Sequence, residues 1–362
     1  MRIIISAGGT GGHIYPAIAI INKIKEKEPD SEFLFIGTHN RMEKDIIPNY
    51  GIKYVPLTII GFKRKLTLKN IKTLSYFFKA IKEAKQIIKE FDPDIVIGFG
   101  GYISGPVLYA AMKLGYPTLI HEQNSILGLA NRFLIRYVDK MAISFPEMLN
   151  YVPNEKKVVF TGNPCSEYAL EAPKMDKTKL GLTKNKKLVV IVMGSLGSTA
   201  INTKMQKMLQ LFNNKEYEVL FITGKEYYDD FKDLKLASNI KIVSYVDEFN
   251  SLMKVTDLMV SRAGATTISQ IIALNIPTIF IPSPYVVNDH QLKNALELVN
   301  REAALLIEEK DLKGDIIVRQ VDAILQNKDK YDNIKNNLNR LIIKESATKI
   351  YDLARNLIDG SK

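Results

Sequence analysis

Little in this sequence suits a disulfide-bonded, zinc-bound or membrane-spanning protein. Its single cysteine, Cys165, excludes an intramolecular disulfide, and its four scattered histidines lack the paired spacing of a structural zinc site. Nowhere do about 18 consecutive apolar residues occur, so no segment is expected to span a bilayer. Met1 and Arg2 lead straight into a short apolar run, so we expect no secretion signal. These absences favour a protein of the reducing cytosol, with any membrane role peripheral.

The composition is that of an ordinary globular protein. With 46% hydrophobic and 25% charged residues, 21 glycines and 14 prolines, the chain is not collagenous, of low complexity or wholly disordered. Its 362 residues favour two domains of roughly 180 residues each. The 50 basic and 39 acidic residues leave a net charge of +11, which implies an anionic partner: a nucleic acid, a phosphorylated metabolite or an acidic lipid surface.

Short apolar strands alternate with helical patterns in both halves of the chain, which predicts an α/β fold with parallel sheets covered on both faces. Each half opens with a strand, a glycine loop and a helix, so we expect two Rossmann-like domains facing across a cleft that holds the ligand. The first domain is predicted to span residues 1–161 and the second residues 162–344. Because residues 347–358 carry a helical apolar stripe, the last helix, about residues 345–362, is expected to pack back on the first domain.

Two glycine loops in the first half follow strands and lead into helices. One lies at residues 8–12, before a helix with Pro16 in its first turn, and the other lies at residues 98–105. Glycines let the backbone approach a ligand closely, and the free N–H groups at a helix start attract phosphate. The spacing G-G-T-G-G, and the lack of an acidic residue at the end of the second strand, argue against a nicotinamide dehydrogenase.

Further polar motifs follow buried strands, at the edge where open parallel sheets bind ligands. The run H-E-Q-N at residues 121–124 closes a strand of the first half. In the second half, a third glycine loop at residues 194–198 follows a strand, and S-R-A-G-A-T-T-I-S-Q at residues 261–270 opens a helix whose N-terminus suits a diphosphate. The segment N-D-H-Q at residues 288–291 begins another helix near the same edge.

Together these motifs resemble the MurG family of bacterial cell-wall synthesis. G-G-T-G-G-H, G-G-Y-x-S-G-P, H-E-Q-N, G-N-P, S-R-x-G-A-x-T and D-H-Q-x-x-N-A occur in that family's order and rough spacing, over essentially the whole chain. The resemblance implies a GT-B inverting hexosyltransferase of peptidoglycan synthesis. It would move N-acetylglucosamine from UDP-N-acetylglucosamine (UDP-GlcNAc) to the 4-hydroxyl of the N-acetylmuramoyl-pentapeptide of undecaprenyl-linked lipid I. The product would be lipid II, at the cytoplasmic face of the bacterial cell membrane.

Two other classes of function compete with this interpretation. One is another UDP-sugar enzyme on the same scaffold, such as a 2-epimerase or a glycolipid glycosyltransferase; H-E-Q-N together with the first two glycine loops favours the cell-wall transferase. The other is a non-catalytic protein that binds nucleic acid or membrane through its positive charge. No nucleic-acid motif appears, so nucleic acid is not an expected partner.

By resemblance, the first domain binds the acceptor and the second binds the donor. His13 is the candidate base, because a histidine titrates near neutrality, and His121 and Glu122 are its competitors. The acceptor site is expected to comprise Thr10, Gly11, Gly12, Gly100, Gly101, Tyr102 and Asn124. The UDP-GlcNAc site is expected to comprise Thr10, Gly11, Gly12 and Asn124 again, with Ser195, Val246, Arg262, Gly264, Ala265, Thr266, Thr267, Gln270, His290 and Gln291.

Helix N-termini and Arg262 are expected to stabilise the departing diphosphate, so we predict neither a metal nor a cofactor. Three departures from the family pattern fall on the donor side. Leu196 replaces a glutamine, Gln270 replaces a glutamate that takes both ribose hydroxyls, and Cys165-Ser166 stand where a valine-arginine pair is usual. Because an amide loses the charge-assisted strength of a carboxylate, we expect weaker or altered nucleotide-sugar preference.

The positive charge is concentrated in residues 61–89. This segment has nine cations against one acid, a net +8, interleaved with aromatic and aliphatic side chains. The pattern suits adsorption to an anionic bilayer, each near-surface cation contributing about 1 kcal/mol, although an ordinary amphipathic helix would also explain residues 71–88. The expected partners are therefore UDP-GlcNAc, lipid I and an anionic membrane surface, with cell-wall synthesis proteins as further candidates.

Overall fold

The computed structural model describes residues 1–61, 69–152 and 155–361. The chain divides into two units, Met1–Tyr168 with Ile343–Lys362, and Ala169–Ile342, each built on its own parallel sheet. The first boundary between the units falls within the helix Cys165–Glu171, whereas the sequence predicted a domain boundary at the turn just before that helix.

Seven strands form the sheet of the first unit: β1 Arg2–Ala7, β2 Glu32–Thr38, β3 Lys53–Leu57, β4 Ile95–Gly100, β5 Thr118–Glu122, β6 Lys140–Ile143 and β7 Val158–Phe160. Its helices are α1 Gly11–Lys27, α2 Glu43–Ile46, α3 Lys69–Phe91, α4 Ser104–Leu114, α5 Leu129–Leu134 and α6 Cys165–Glu171. The strands are all parallel, in the order β3-β2-β1-β4-β5-β6-β7. Ile3 of β1 pairs with Ile95 of β4 at the centre, and both strands are buried along almost their whole length, which explains their unbroken apolar runs.

Six strands form the sheet of the second unit: β8 Leu188–Val192, β9 Glu218–Ile222, β10 Ile240–Val243, β11 Leu258–Ser261, β12 Thr278–Phe280 and β13 Leu305–Leu306. Its helices are α7 Thr199–Met208, α8 Phe249–Met253, α9 Ala265–Leu274, α10 His290–Val299, α11 Ile316–Leu325 and α12 Lys328–Asn339. These strands are also parallel, in the order β10-β9-β8-β11-β12-β13. The two parallel α/β sheets expected from the sequence are confirmed.

Strand order positions the glycine loops. The order reverses between β1 and β4 in the first sheet, and between β8 and β11 in the second. Loops that leave the carboxyl ends of strands at such a reversal diverge to opposite faces, and the crevice between them is where open parallel sheets bind ligands. The first and second glycine loops leave β1 and β4, and the third leaves β8, so each lies at such a point.

The last helix of the chain, α13 Ser346–Asp359, belongs to the first unit. Its apolar face joins β1 and α1 in one core through Ala347, Ile350, Ala354 and Ile358. Glu167 accepts the backbone N–H of Ala347 at 2.8 Å and pairs with Lys23 of α1 at 3.0 Å. A carboxylate at the positive end of α13 both caps the helix and ties it to α1.

Candidate active site

The first glycine loop touches the second directly. Gly9 has a φ of +99° and Gly101 a φ of +83°, values that favour glycine because other side chains meet their own backbone there. A Cβ on Gly101 would lie 2.3 Å from the carbonyl oxygen of Gly8. The two loops can approach this closely only because Gly101 lacks a side chain, and Thr10 precedes the first turn of α1 beside them.

His13 lies between these two loops. Its Nδ1 is 3.0 Å from the carbonyl oxygen of Gly8, and a Cβ on Gly100 would lie 3.1 Å from its Nε2. A carbonyl oxygen only accepts hydrogen bonds, so Nδ1 carries the proton in the neutral ring. The lone pair is then on Nε2, the nitrogen on the Gly100 side.

A buried carboxylate that the sequence did not single out holds the first loop. Glu43 of α2 is fully buried, and its Oε2 accepts the backbone N–H of Gly9 at 3.1 Å. Its Oε1 accepts both the backbone N–H and the hydroxyl of Thr38, at 3.1 and 2.6 Å. A Cβ on Gly8 would lie 2.7 Å from Oε1. The only local signal was an acidic residue shortly after the polar end of β2, which is too common a pattern to indicate a site.

His121 makes hydrogen bonds through both ring nitrogens. The side chain is fully buried; Nε2 donates to the carbonyl oxygen of Gly162 at 3.1 Å, and Nδ1 accepts from Gln123 Nε2 at 3.0 Å. Burial lowers its pKa to about 4, so the ring is neutral near pH 7. These contacts favour a packing role at the end of β5 over the catalytic role considered from the sequence.

Glu122 is likewise committed to local structure. Its side chain is 2% exposed, and its two oxygens accept the backbone and side-chain N–H groups of Asn124, both at 3.1 Å, the backbone N–H of Gly128 at 2.9 Å and the Asn131 amide at 3.0 Å. Four donors around one carboxylate stabilise the anion and order the loop that leads into α5. A carboxylate engaged in this way is a poor candidate base, so His13 is the best of the three candidates.

In the second unit, the third glycine loop exposes its central side chains. A Cβ on Gly197, which has a φ of +77°, would lie 2.1 Å from the carbonyl oxygen of Thr223, so this loop also packs closely on a neighbouring strand end. Ser195 is exposed, and Leu196, the residue that departs from the family pattern, is 68% exposed.

Arg262, which the sequence analysis placed near the donor diphosphate, makes buried contacts with its guanidinium. The side chain is 8% exposed, and its guanidinium donates to the carbonyl oxygen of Ile281 at 2.9 Å and to Ser198 Oγ at 2.9 Å. It forms a 2.6 Å ion pair with the equally buried Glu309. With these contacts Arg262 joins the segments that follow β8, β11 and β12, and the diphosphate contact expected from the sequence stays a prediction.

The remaining donor-side residues lie in segments that follow β10, β11 and β12 in the second unit. Gly264 precedes the first turn of α9, which begins at Ala265; Thr267 follows, and the Oγ1 of Thr266 has no hydrogen-bond partner among the described residues. Gln270 donates to Asn250 Oδ1 at 2.7 Å.

The other donor-side residues lie beyond β10 and at the start of α10. Val246 is buried beyond the end of β10. His290 opens α10, where Gln291 Oε1 accepts the backbone N–H of Ser283 at 2.8 Å.

The Cys165-Ser166 pair is part of the junction with α13. Cys165 is buried, and its backbone N–H donates to Asn163 Oδ1 at 3.0 Å. Ser166 Oγ lies 2.8 Å from the carbonyl oxygen of Asn163 and 3.0 Å from Ser346 Oγ. Both residues therefore serve packing within the first unit.

An aromatic patch lies on the first unit; we define it as the exposed Leu74, Phe78, Leu129, Phe133 and Tyr137 together with the half-buried Phe77 and Tyr109. Phe77 and Phe133 are in edge contact at 6.2 Å, which joins α3 to α5, and Phe78 is 61% exposed. Exposed cations lie on or directly after the same helices: Lys79, Lys82, Arg132 and Arg136. Tyr102, at the second glycine loop, is 48% exposed. Residues 62–68 of the basic segment lie outside the described residues.

Two features of the described residues bear on metal binding and on membrane spanning. Within residues 1–61, 69–152 and 155–361, no group of three or more histidine, cysteine, aspartate or glutamate side chains could hold a metal ion. Of the helices in the part of the chain that the structure describes, none is long and apolar enough to cross a membrane.

Comparison with known proteins identifies the family. The model of the glycosyltransferase family 28 N-terminal domain matches residues 3–143, and that of the family 28 C-terminal domain matches residues 188–355. A Bacillus cereus UDP-N-acetylglucosamine–N-acetylmuramyl-(pentapeptide) pyrophosphoryl-undecaprenol N-acetylglucosamine transferase is 44% identical over 363 residues, covering 99% of this chain and 100% of that protein. The crystal structure of Acinetobacter baumannii MurG matches with a TM-score of 0.76 at 26% identity, covering 98% of this chain and 99% of that one. The chain belongs to the MurG family.

MurG membership makes this chain a glycosyltransferase with the GT-B fold. The UDP-GlcNAc 2-epimerase from Neisseria meningitidis has a TM-score of 0.68 at 15% identity, covering 98% of this chain and 100% of that one, which shows a shared fold alone. Of the MurG motifs, the structure brings the first two glycine loops together around His13. It commits His121, Glu122 and Arg262 to buried contacts.

Proposed function

We propose that this MurG-family protein transfers N-acetylglucosamine from UDP-GlcNAc to the 4-hydroxyl of the N-acetylmuramoyl-pentapeptide of lipid I, forming lipid II. The main support for this proposal is 44% identity over essentially the whole chain to a transferase whose name gives this sugar and this lipid-linked acceptor. The similarity to 2-epimerases has no comparable support, because it is limited to the fold.

The first unit binds the acceptor in this proposal, and His13 is the base. Inversion at the anomeric carbon takes one displacement, in which the acceptor oxygen attacks as it loses its proton and UDP departs. Supporting this role, the Nδ1 contact with Gly8 directs the lone pair of the neutral ring to Nε2. The acceptor diphosphate would lie at the start of α1 and along the second loop, where Thr10, Gly100, Gly101 and Tyr102 are found.

The second unit binds the donor. The positive end of the α9 dipole opposes the charge that grows on the departing diphosphate, and Thr266, whose buried Oγ1 lacks a partner among the described residues, lies in the same first turn. Arg262 contributes indirectly, by holding the loops. Carried over by family resemblance, Val246 would contact the uracil, Gln270 the ribose, and His290 with Gln291 the sugar.

The aromatic patch would dock the first unit on the cytoplasmic face of an anionic membrane, where lipid I is held. Large apolar side chains rarely stay exposed in a group, and cations beside them favour acidic headgroups. Each near-surface lysine or arginine contributes about 1 kcal/mol to such adsorption.

Transfer of labelled N-acetylglucosamine from UDP-GlcNAc to a soluble lipid I analogue tests the function. Product and UDP should appear together and only with acceptor present. Folded protein that makes no product, or that epimerises UDP-GlcNAc without acceptor, contradicts the proposal.

His13→Ala tests the base, with an expected loss of about 100-fold or more in kcat. His39→Ala is the matched control, because His39 is an exposed histidine of the same unit. Near wild-type activity of His13→Ala would remove His13 from the role of base and leave the transfer function itself untouched.

A further inference from the structure

One peptide group joins Glu43 to His13. The peptide between Gly8 and Gly9 donates its N–H to Glu43 Oε2 at 3.1 Å, and its C=O accepts from His13 Nδ1 at 3.0 Å. The two ends of a single planar amide thus connect a buried carboxylate to the imidazole ring.

This peptide is held in place on several sides. Glu43 is fully buried, and its second oxygen is fixed by the backbone N–H and hydroxyl of Thr38. On the other side, a Cβ at Gly101 would lie 2.3 Å from the carbonyl oxygen of Gly8. The peptide therefore has little room to rotate, and its carbonyl stays directed at His13.

We propose that Glu43, acting through the Gly8–Gly9 peptide, is a positioning residue that fixes His13 in the Nδ1–H tautomer and strengthens Nε2 as a base. An anion at the N–H end of an amide polarises it, so the carbonyl at the other end becomes a better acceptor for Nδ1–H. The same polarisation stabilises the imidazolium that forms when Nε2 takes a proton. The carboxylate of a catalytic triad does this by direct contact with histidine, whereas here a backbone amide lies between them.

Glu43 has the surroundings of an anion. Its oxygens accept two N–H groups and one hydroxyl, a set of donors that suits an ionised carboxylate. Other titratable side chains on the elements around Glu43 and His13 include Tyr15 on α1, Lys44 and Asp45 on α2, Lys53 and Tyr54 on β3, and Tyr102 at the second loop. Burial, and then Glu43 itself, raise the pKa of Tyr54, so that phenol stays neutral and donates to the Thr38 carbonyl oxygen at 2.6 Å.

The test is ¹⁵N NMR of the imidazole rings in the full-length protein without substrates. The chain has only four histidines, so His13→Ala assigns the signal of His13. The wild-type protein should show His13 as the Nδ1–H tautomer. In Glu43→Gln, which keeps the shape and removes the charge, the pKa of His13 should fall by about one unit and the Nε2–H tautomer should appear.

Kinetics provide the second readout. The acidic limb of kcat/KM against pH should move down in Glu43→Gln by the same amount as the His13 pKa, and Glu43→Asp should restore part of the shift. Glu167→Gln is the matched control, since Glu167 is a partly buried carboxylate that likewise accepts backbone N–H groups, those of α13. It should change neither the tautomer nor the acidic limb.

The inference rests on the proposed function, because His13 is a base only if the chain catalyses the transfer. The link to Glu43 and the role of base can be refuted by different results. An active His13→Ala enzyme would refute the role of His13 as the base, while the NMR signals of the wild-type protein would still report the link to Glu43. A wild-type His13 in the Nε2–H tautomer overturns the link, and this result does not depend on whether a Glu43 variant folds. A folded Glu43→Gln protein with the wild-type tautomer and pKa overturns it as well.

Discussion

Replacing Arg262 with methionine distinguishes a residue that organises the second unit from one that touches the donor. The guanidinium is almost fully buried and donates to Ile281 O, Ser198 Oγ and Glu309 Oε2. Methionine keeps much of the length and apolar volume but donates no hydrogen bond. The Arg262→Met variant therefore leaves the Glu309 carboxylate buried without its cation.

Removing one partner of a buried ion pair costs about 3 to 5 kcal/mol, because the remaining charge is desolvated and unpaired. For a unit of this size, that loss corresponds to a fall in Tm of roughly 6 to 20 °C. The double variant Arg262→Met with Glu309→Leu removes both charges and should recover most of the loss. Arg319→Met is the matched control, because the ion pair of Arg319 with Asp315 is exposed and contributes little.

Calorimetry of the full chain without nucleotide measures these shifts, and initial rates at varied UDP-GlcNAc measure KM in the same proteins. If Arg262 instead contacts the diphosphate, its replacement should raise KM for UDP-GlcNAc without lowering the unfolding temperature. If Arg262→Met unfolds at the wild-type temperature and only raises KM for UDP-GlcNAc, the buried ion pair is not what Arg262 contributes, and the reasoning is refuted.

Three further perturbations address other contacts. Gly101→Ala should lower transfer, because its Cβ would lie 2.3 Å from Gly8 O at a φ of +83°; unchanged kinetics would contradict the close approach of the two loops. Burial lowers the pKa of His121 from 6.5 to about 4, so between these values the unfolded chain binds a proton that the folded chain does not, and the free energy of unfolding should fall as pH falls. Urea unfolding at a series of pH values should show a smaller fall in the free energy of unfolding for His121→Gln than for the wild type. The same pH dependence in both proteins would contradict this prediction. Phe78→Ser should weaken cosedimentation with anionic vesicles, whereas Tyr228→Ser in the second unit should not; equal binding by both variants would argue against the aromatic patch.

The sequence predicted the positions of the candidate site better than the roles of its residues. The glycine loops were found because a strand, a run of glycines and a helix are consecutive in the chain. His13 was found because it directly follows the first loop. His121, Glu122 and Arg262 were also found as polar residues at strand ends, but their charge and position fit buried hydrogen bonds as well as they fit a ligand. Burial decides between these roles, and burial depends on the packing of distant elements.

The sequence by itself determined that the chain forms two parallel α/β sheets with glycine loops at their strand ends, since strand and helix periodicity and glycine content are local properties. Only the tertiary structure decided which polar groups hold those loops. Glu43 meets Gly9 across 34 residues, and Glu309 meets Arg262 across 47. No local pattern specifies such pairs, because a hydrogen bond depends on where the fold places its two atoms and not on how far apart they lie along the chain.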